Sequence, residues 1–212
     1  MPVLSQPPSL SGPLVAFDFD GTLTVADSFT AFLRWRAGTA GWLTGLAALG
    51  PATARYLVDR DRGRIKAAAV AQFLDGVEAL QLSEEAERFA DQVWDRFMRP
   101  DALACWHDWG KKGAHRVIVT ASPALTVAPF ARRLGAEALL GTELALDPDG
   151  RVTGAFVGEN CRGEEKVQRL ICAYGPDAVL EAAYGDTSGD AEMLARATHP
   201  GFRRFKQRPD RR

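Results

Sequence analysis

Short apolar runs recur along the chain at "PLVAFDF" (13–19), "HRVIVT" (115–120), "EALLG" (137–141) and "AVLEAAYG" (178–185). Each has the length of a strand, and near-continuous apolar character is the pattern of strands covered on both faces. Between the later runs lie two patterns with helical spacing, "ALTVAPFARRLG" (124–135) and "GEEKVQRLICAYG" (163–175), each closed by a glycine where a helix ends. Strand alternating with helix predicts an α/β fold, a parallel sheet with helices on its faces. Residues 26–100 break the alternation with successive helical patterns: "SFTAFLRWRAG", "RGRIKAAAVAQFLDG" and "SEEAERFADQVWDRFM", the last with Ser83 as its expected cap. A helical insertion after the first strand reads as a cap over whatever the strand end carries. A hairpin is expected over 142–154, turning at Asp149-Gly150. The resulting division is a flexible leader (1–12), a core (13–25 and 101–200), a helical cap (26–100) and a basic tail (201–212).

Composition narrows the classes. Hydrophobic residues make up 46% and charged residues 25% of 212 positions, and the net charge is -1. A chain of this length buries a core without staples, and its charge gives no long-range reason to expect nucleic acid. Cys105, Cys161 and Cys172 have no spacing of a disulfide framework or a zinc site, and are read as buried small hydrophobes. The leader has no basic start and no signal-peptide core, so a cytoplasmic protein is expected.

The chemistry sits at the predicted strand ends, where open α/β sheets bind ligands. The first strand runs out in Asp18-Phe19-Asp20-Gly21-Thr22, and the second in Thr120-Ala121-Ser122. A helix start carries Lys166, and the last run ends in "GDTSGD" with Asp186 and Asp190. Residues two apart at a strand end point the same way, so Asp18 and Asp20 can converge and Asp186 can join them. Such a cluster of hard oxygens calls for a cation, and Mg2+ suits it because it keeps waters and takes a phosphate oxygen. Phosphate monoesters resist hydrolysis so strongly that passing the phosphoryl group through a carboxylate divides the work. Asp18 is then the nucleophile and Asp20 the acid that protonates the departing alcohol. Gly21 permits a close turn, Thr120, Ser122 and the amides around Ala121 donate to the phosphate, and Lys166 offsets its charge.

The ordered set "DFDGT", "VTAS", "GEEK" and "GDTSGD", over roughly residues 14–195, resembles the haloacid dehalogenase superfamily of phosphatases. The insertion after the first motif resembles subclass IB, which includes phosphoserine phosphatases. The resemblance implies a Rossmannoid core, a helical cap and an aspartyl-phosphate route. Position by position it assigns the nucleophile to Asp18, the acid/base to Asp20, the phosphate hydroxyl to Thr120 and the lysine to Lys166. It makes Asp186 a direct metal ligand and Asp190 an acidic partner of the metal shell, and adds the Asp20 backbone carbonyl as a ligand.

Two positions depart from the phosphoserine pattern. Asp27 stands where that branch has a glutamate reading the substrate amine, and the cap arginine's place falls near Ala69, with Arg60, Arg62 and Arg64 close in sequence. The expected substrate is therefore a small soluble phosphate ester. The alternatives are a lipid phosphate of the phosphatidylglycerophosphate kind, or a phosphate-binding regulatory protein without catalysis. Peripheral membrane contact through 41–58 and the basic tail belongs to the lipid alternative, although Pro51 and Arg55 interrupt that apolar segment. Oligomeric state has no signature in the chain.

Overall fold

A computed structural model describes residues 12–50 and 62–210. The leader up to residue 11, Pro51, Arg55, Arg60 and the rest of 51–58 lie outside the described residues. Six strands form one sheet in the order β4-β3-β2-β1-β5-β6. They are β1 (Leu14–Phe17), β2 (His115–Pro123), β3 (Ala138–Leu146), β4 (Val152–Val157), β5 (Leu180–Gly185) and β6 (Ala197–Phe202). β1 is central and parallel to both neighbours, pairing Phe17 with Ile118 of β2 and with Tyr184 of β5. β4 alone runs antiparallel, as the return of a hairpin from β3.

The period of two along β1 sorts the core into two clusters. Val15 and Phe17 join Ile118, Ala182 and Tyr184 beneath α4 (Pro100–Lys111, through Trp106) and α5 (Ala124–Leu134, through Phe130). Leu14 and Ala16 join Val117, Val119 and Ala183 beneath α6 (Glu164–Tyr174, through Leu170) and α7 (Ala191–Ala195, through Met193). Each predicted helix-closing glycine is in place, with Gly135 at φ 63° and Gly175 at φ 89°.

Three helices fill the insertion: α1 (Ser28–Ala48), α2 (Arg62–Leu74) and α3 (Ala79–Phe97). α1 breaks at Gly38, whose φ of 64° and ψ of 176° interrupt the helical backbone. α3 begins four residues before Ser83, with Glu78 at its cap position, so Ser83 lies inside the helix. The apolar spacing that starts at Leu82 extends the helix backward past the expected capping residue.

Four features differ from the sequence reading or add to it. The run at 137–141 and the first arm of the hairpin are one strand, β3, which pairs with β2 through Thr142 and then with β4 beyond it. β6 was not evident, because "ATHPGF" lacks an apolar run and owes its place to pairing with β5. Cys172 is exposed whereas Cys161 is buried, and all three cysteines are free. The basic tail is not simply solvated: Phe205 is buried against Phe17 and Tyr184. Asp101 Oδ2 accepts from the Lys206 and Gln207 amides. No helix among the described residues is long and apolar enough to cross a membrane.

Candidate active site

The sheet order changes direction at β1, with β2 on one side and β5 on the other. The carboxyl ends of these strands therefore open onto a switch point. A crevice of about 550 Å³ lies there, lined by Asp18, Asp20, Gly21, Ala121, Lys166 and Asp186.

Asp18 follows directly on β1, and its amide still donates to Tyr184 O of β5 at 2.8 Å, so the sheet fixes its backbone. Its side chain is buried, with Oδ1 2.6 Å from Lys166 Nζ and Oδ2 taking the Thr22 hydroxyl at 3.2 Å. Lys166 stands in the first turn of α6 and is 1% exposed, so its ammonium must be fully partnered. It donates to Asp18 Oδ1 at 2.6 Å, Asp190 Oδ1 at 2.6 Å and Val119 O at 2.7 Å. Burial alone would lower its pKa, but the two carboxylates reverse that and hold it charged well above the usual lysine value. Burial pushes Asp18 up to about 7 despite the pull of Lys166.

Asp190 is saturated. Besides Lys166 it accepts from the amides of Asp186 and Thr187, at 3.1 and 2.9 Å, and from the Thr187 hydroxyl at 3.1 Å. Although burial opposes it, these donors keep its pKa below the ordinary carboxylate value. Asp186 differs, because its Oδ1 is buried without a hydrogen-bond partner and burial raises its pKa.

A cation fits here. Carboxylate oxygens of Asp18, Asp186 and Asp190 lie within 4.8 Å of one another, and an orphaned carboxylate oxygen is the kind of group a hard ion satisfies. With Asp190 fully bonded, Asp18 and Asp186 are the members with coordination to offer.

The carboxylate of Asp20 lies outside this cluster. The backbone turns through Asp20 (φ −74°, ψ 120°) and Gly21 (φ 81°), which aims the Asp20 side chain toward the inserted helices. There Oδ1 accepts from the Ser28 amide at 2.6 Å and Oδ2 from the Ser122 hydroxyl at 2.5 Å. Burial first, and then the charge of Asp27, raises its pKa. A side chain on Gly21 would run into the Asp186 carboxylate, so the glycine is required by space as well as by its positive φ.

Thr120 is fully buried and its hydroxyl accepts the Ser122 amide at 3.1 Å. Ala121 lines the crevice between them. Asp27 caps α1 through Oδ1 and Thr30 N (2.7 Å), while Oδ2 stands 3.8 Å from Lys66 Nζ.

Three residues of the site carried no signal in sequence. Lys66 of α2 reaches Ser122 Oγ at 3.3 Å, so a chain of contacts runs Asp20, Ser122, Lys66, Asp27. Arg99 braces the Asp20–Gly21 turn by donating to Gly21 O (3.1 Å) and Thr24 O (3.0 Å). Arg162, just before the "GEEK" motif, donates to Ser188 Oγ at 3.0 Å. Lys66 lies in surface-like helical sequence and Arg99 in the link between α3 and α4, and only folding brings them to the strand ends.

Residues 15–195 match the haloacid dehalogenase-like hydrolase family. The chain is 57% identical over 196 residues to protein CicA of Caulobacter vibrioides, covering 92% of this chain and 88% of that one. It is 31% identical over 203 residues to phosphoserine phosphatase SerB1 of Mycobacterium tuberculosis, covering 90% of this chain and 64% of the relative. A solved protein of unknown function from Bordetella pertussis superposes with a TM-score of 0.73 at 25% identity, over 87% of this chain and 86% of its own.

Proposed function

Given that the chain belongs to the haloacid dehalogenase-like hydrolases and is a phosphatase, we propose that it hydrolyses a small phosphate monoester through an aspartyl-phosphate, with Mg2+ as cofactor. The observation that carries this is the separation of two carboxylates only two residues apart. Asp18 is locked against Lys166 at 2.6 Å, whereas Asp20 is turned away to Ser122 and Ser28. Paired carboxylates whose surroundings differ are suited to different tasks.

Asp18 Oδ attacks phosphorus, forming the O–P bond as the ester O–P bond breaks. Asp20, whose pKa burial and then the charge of Asp27 raise, is the acid that gives a proton to the leaving alkoxide. Asp20 then takes a proton from the water that attacks the aspartyl-phosphate, which releases inorganic phosphate and regenerates Asp18. Lys166 keeps the Asp18 carboxylate oriented and offsets charge on the transferring group. Ala121 stands at the crevice wall where phosphate oxygens would sit, while the Ser122 hydroxyl is buried behind it and donates to Asp20 Oδ2. Asp18 and Asp186 would hold Mg2+, which when bound supplies charge neutralisation at the phosphoryl oxygens.

The test is release of inorganic phosphate from a panel of monoesters, with and without Mg2+, using Asp18→Asn as the blank. Mg2+-dependent turnover lost in Asp18→Asn is expected. Turnover retained in a folded Asp18→Asn protein would overturn the covalent route.

A further inference from the structure

A second cavity, of about 620 Å³, runs between α1 and α3 and meets the catalytic crevice at its inner end. Ala26, Asp27 and Thr30 line both, so the two spaces join beside Asp20's side of the site. The walls of this groove are apolar and largely aromatic: Trp35 and Trp42 from α1, Phe89, Val93 and Phe97 from α3. Their positions are set in advance. Trp35 stacks on Phe32 and its indole N–H is satisfied by Gln92 Oε1 at 2.8 Å, while Trp42 stacks on Phe73 of α2 at 5.3 Å. Trp35 and Trp42 are seven residues apart, and both line the same groove with Gly38 between them.

We propose that this groove holds the alcohol portion of the substrate, and that the alcohol carries an apolar body of roughly eight carbons or more. This rests on the phosphatase reading above and specifies its substrate class. Three observations support it. The groove leads out of the crevice on the side where Asp20 would protonate the leaving oxygen, so the departing alcohol points into it. Five apolar side chains, Trp35, Trp42, Phe89, Val93 and Phe97, dominate its walls and the Trp35 N–H is already taken by Gln92, while the polar lining groups are Asp27 and Thr30 at the junction with the crevice, together with Arg34, Thr39 and Arg96. Arg34 and Arg96, both exposed, stand at its edge, and neither side chain makes an ion pair or hydrogen bond among the described residues. Their field draws in an anionic ester rather than a bare hydrocarbon.

The experiment measures binding of butyl phosphate, octyl phosphate and inorganic phosphate to full-length Asp18→Asn protein in Mg2+ by calorimetry, below the concentrations at which octyl phosphate self-associates. Octyl phosphate should bind at least about tenfold more tightly than butyl phosphate, about half the logarithmic gain expected from fully burying four methylenes. Equal affinities would overturn the proposal. Trp35→Ala and Trp42→Ala in the same background should shrink the octyl-to-butyl ratio, a quantity from which any unfolded fraction cancels. An unchanged ratio in both would also overturn it. Turnover of the esters by the unmutated protein is read separately: octyl preference without any turnover supports the groove and refutes the phosphatase reading. Turnover of phosphatidic acid in phosphatidylcholine vesicles would assign the alcohol to a membrane lipid, and turnover of octyl phosphate alone to a soluble amphiphile. Either result supports the groove.

Discussion

Replacing Lys166 by methionine keeps most of the side-chain volume and removes the ammonium that three oxygens share. Lys166 and Asp190 are 1% and 2% exposed and Asp18 is 6% exposed, so water cannot step in readily. The substitution strips both carboxylates of the cation 2.6 Å away and leaves two like charges facing each other. Removing one partner of a buried ion pair costs about 3–5 kcal/mol. For a urea m-value near the upper end of about 1–3 kcal/mol/M, the midpoint should fall by at least about 1 M. The assay is equilibrium urea unfolding in chelator, because a bound cation would substitute for the lost ammonium. Adding Asp190→Asn to Lys166→Met removes one of the stranded charges and should recover at least about 1 kcal/mol relative to additivity. The deficit should also shrink as pH falls. The stranded Asp18 carboxyl titrates higher in the folded than in the unfolded chain, so the folded state binds more protons and gains stability on acidification. A midpoint within about 0.2 M of the unmutated protein, or strict additivity in the double variant, would refute the view that Lys166 neutralises a buried pair of carboxylates.

Gly21→Ala puts a Cβ at φ 81° against the Asp186 carboxylate. It should cost about 1–2 kcal/mol in thermal or urea unfolding and weaken Mg2+ binding, and an unchanged Mg2+ titration would contradict the close approach. Phe205→Ala removes a ring packed against Phe17 and Tyr184 and should destabilise by about 3 kcal/mol. A surface-like loss of under about 0.5 kcal/mol would return the tail to solvent. Burial, then Glu137, pushes Tyr174 up to about 12, and burial, then Cys105, does the same for Tyr184. Unfolded tyrosines ionise near pH 10, so the unfolded state loses protons first and stability should decline between about pH 10 and about pH 12. Phenolate absorbance of more than one of the three tyrosines rising near pH 10 before any loss of structure would disprove that shielding.

The parallel core was legible because its signals are local. The apolar runs at 13–19 and 115–120, and glycines just past two helices, report strand burial and helix ends without knowledge of the partners. The carboxylates, hydroxyls and lysine were legible for the same reason, since strand ends in such a sheet converge by topology. What the sequence could not decide is how those groups divide. Asp18 and Asp20 looked equivalent in "DFDGT", yet the turn at Gly21 sends one carboxylate to Lys166 and the other to Ser122. That turn is braced by Arg99, seventy-eight residues on from Gly21. Lys66, the burial of Phe205, strand β6 and the meeting of the groove with the crevice likewise depend on contacts between distant segments. Local pattern sets which residues can be helix, strand or ligand. Which oxygen faces a cation, which faces a proton donor and which space opens beside them follow from packing, where side chains far apart in sequence compete for the same volume.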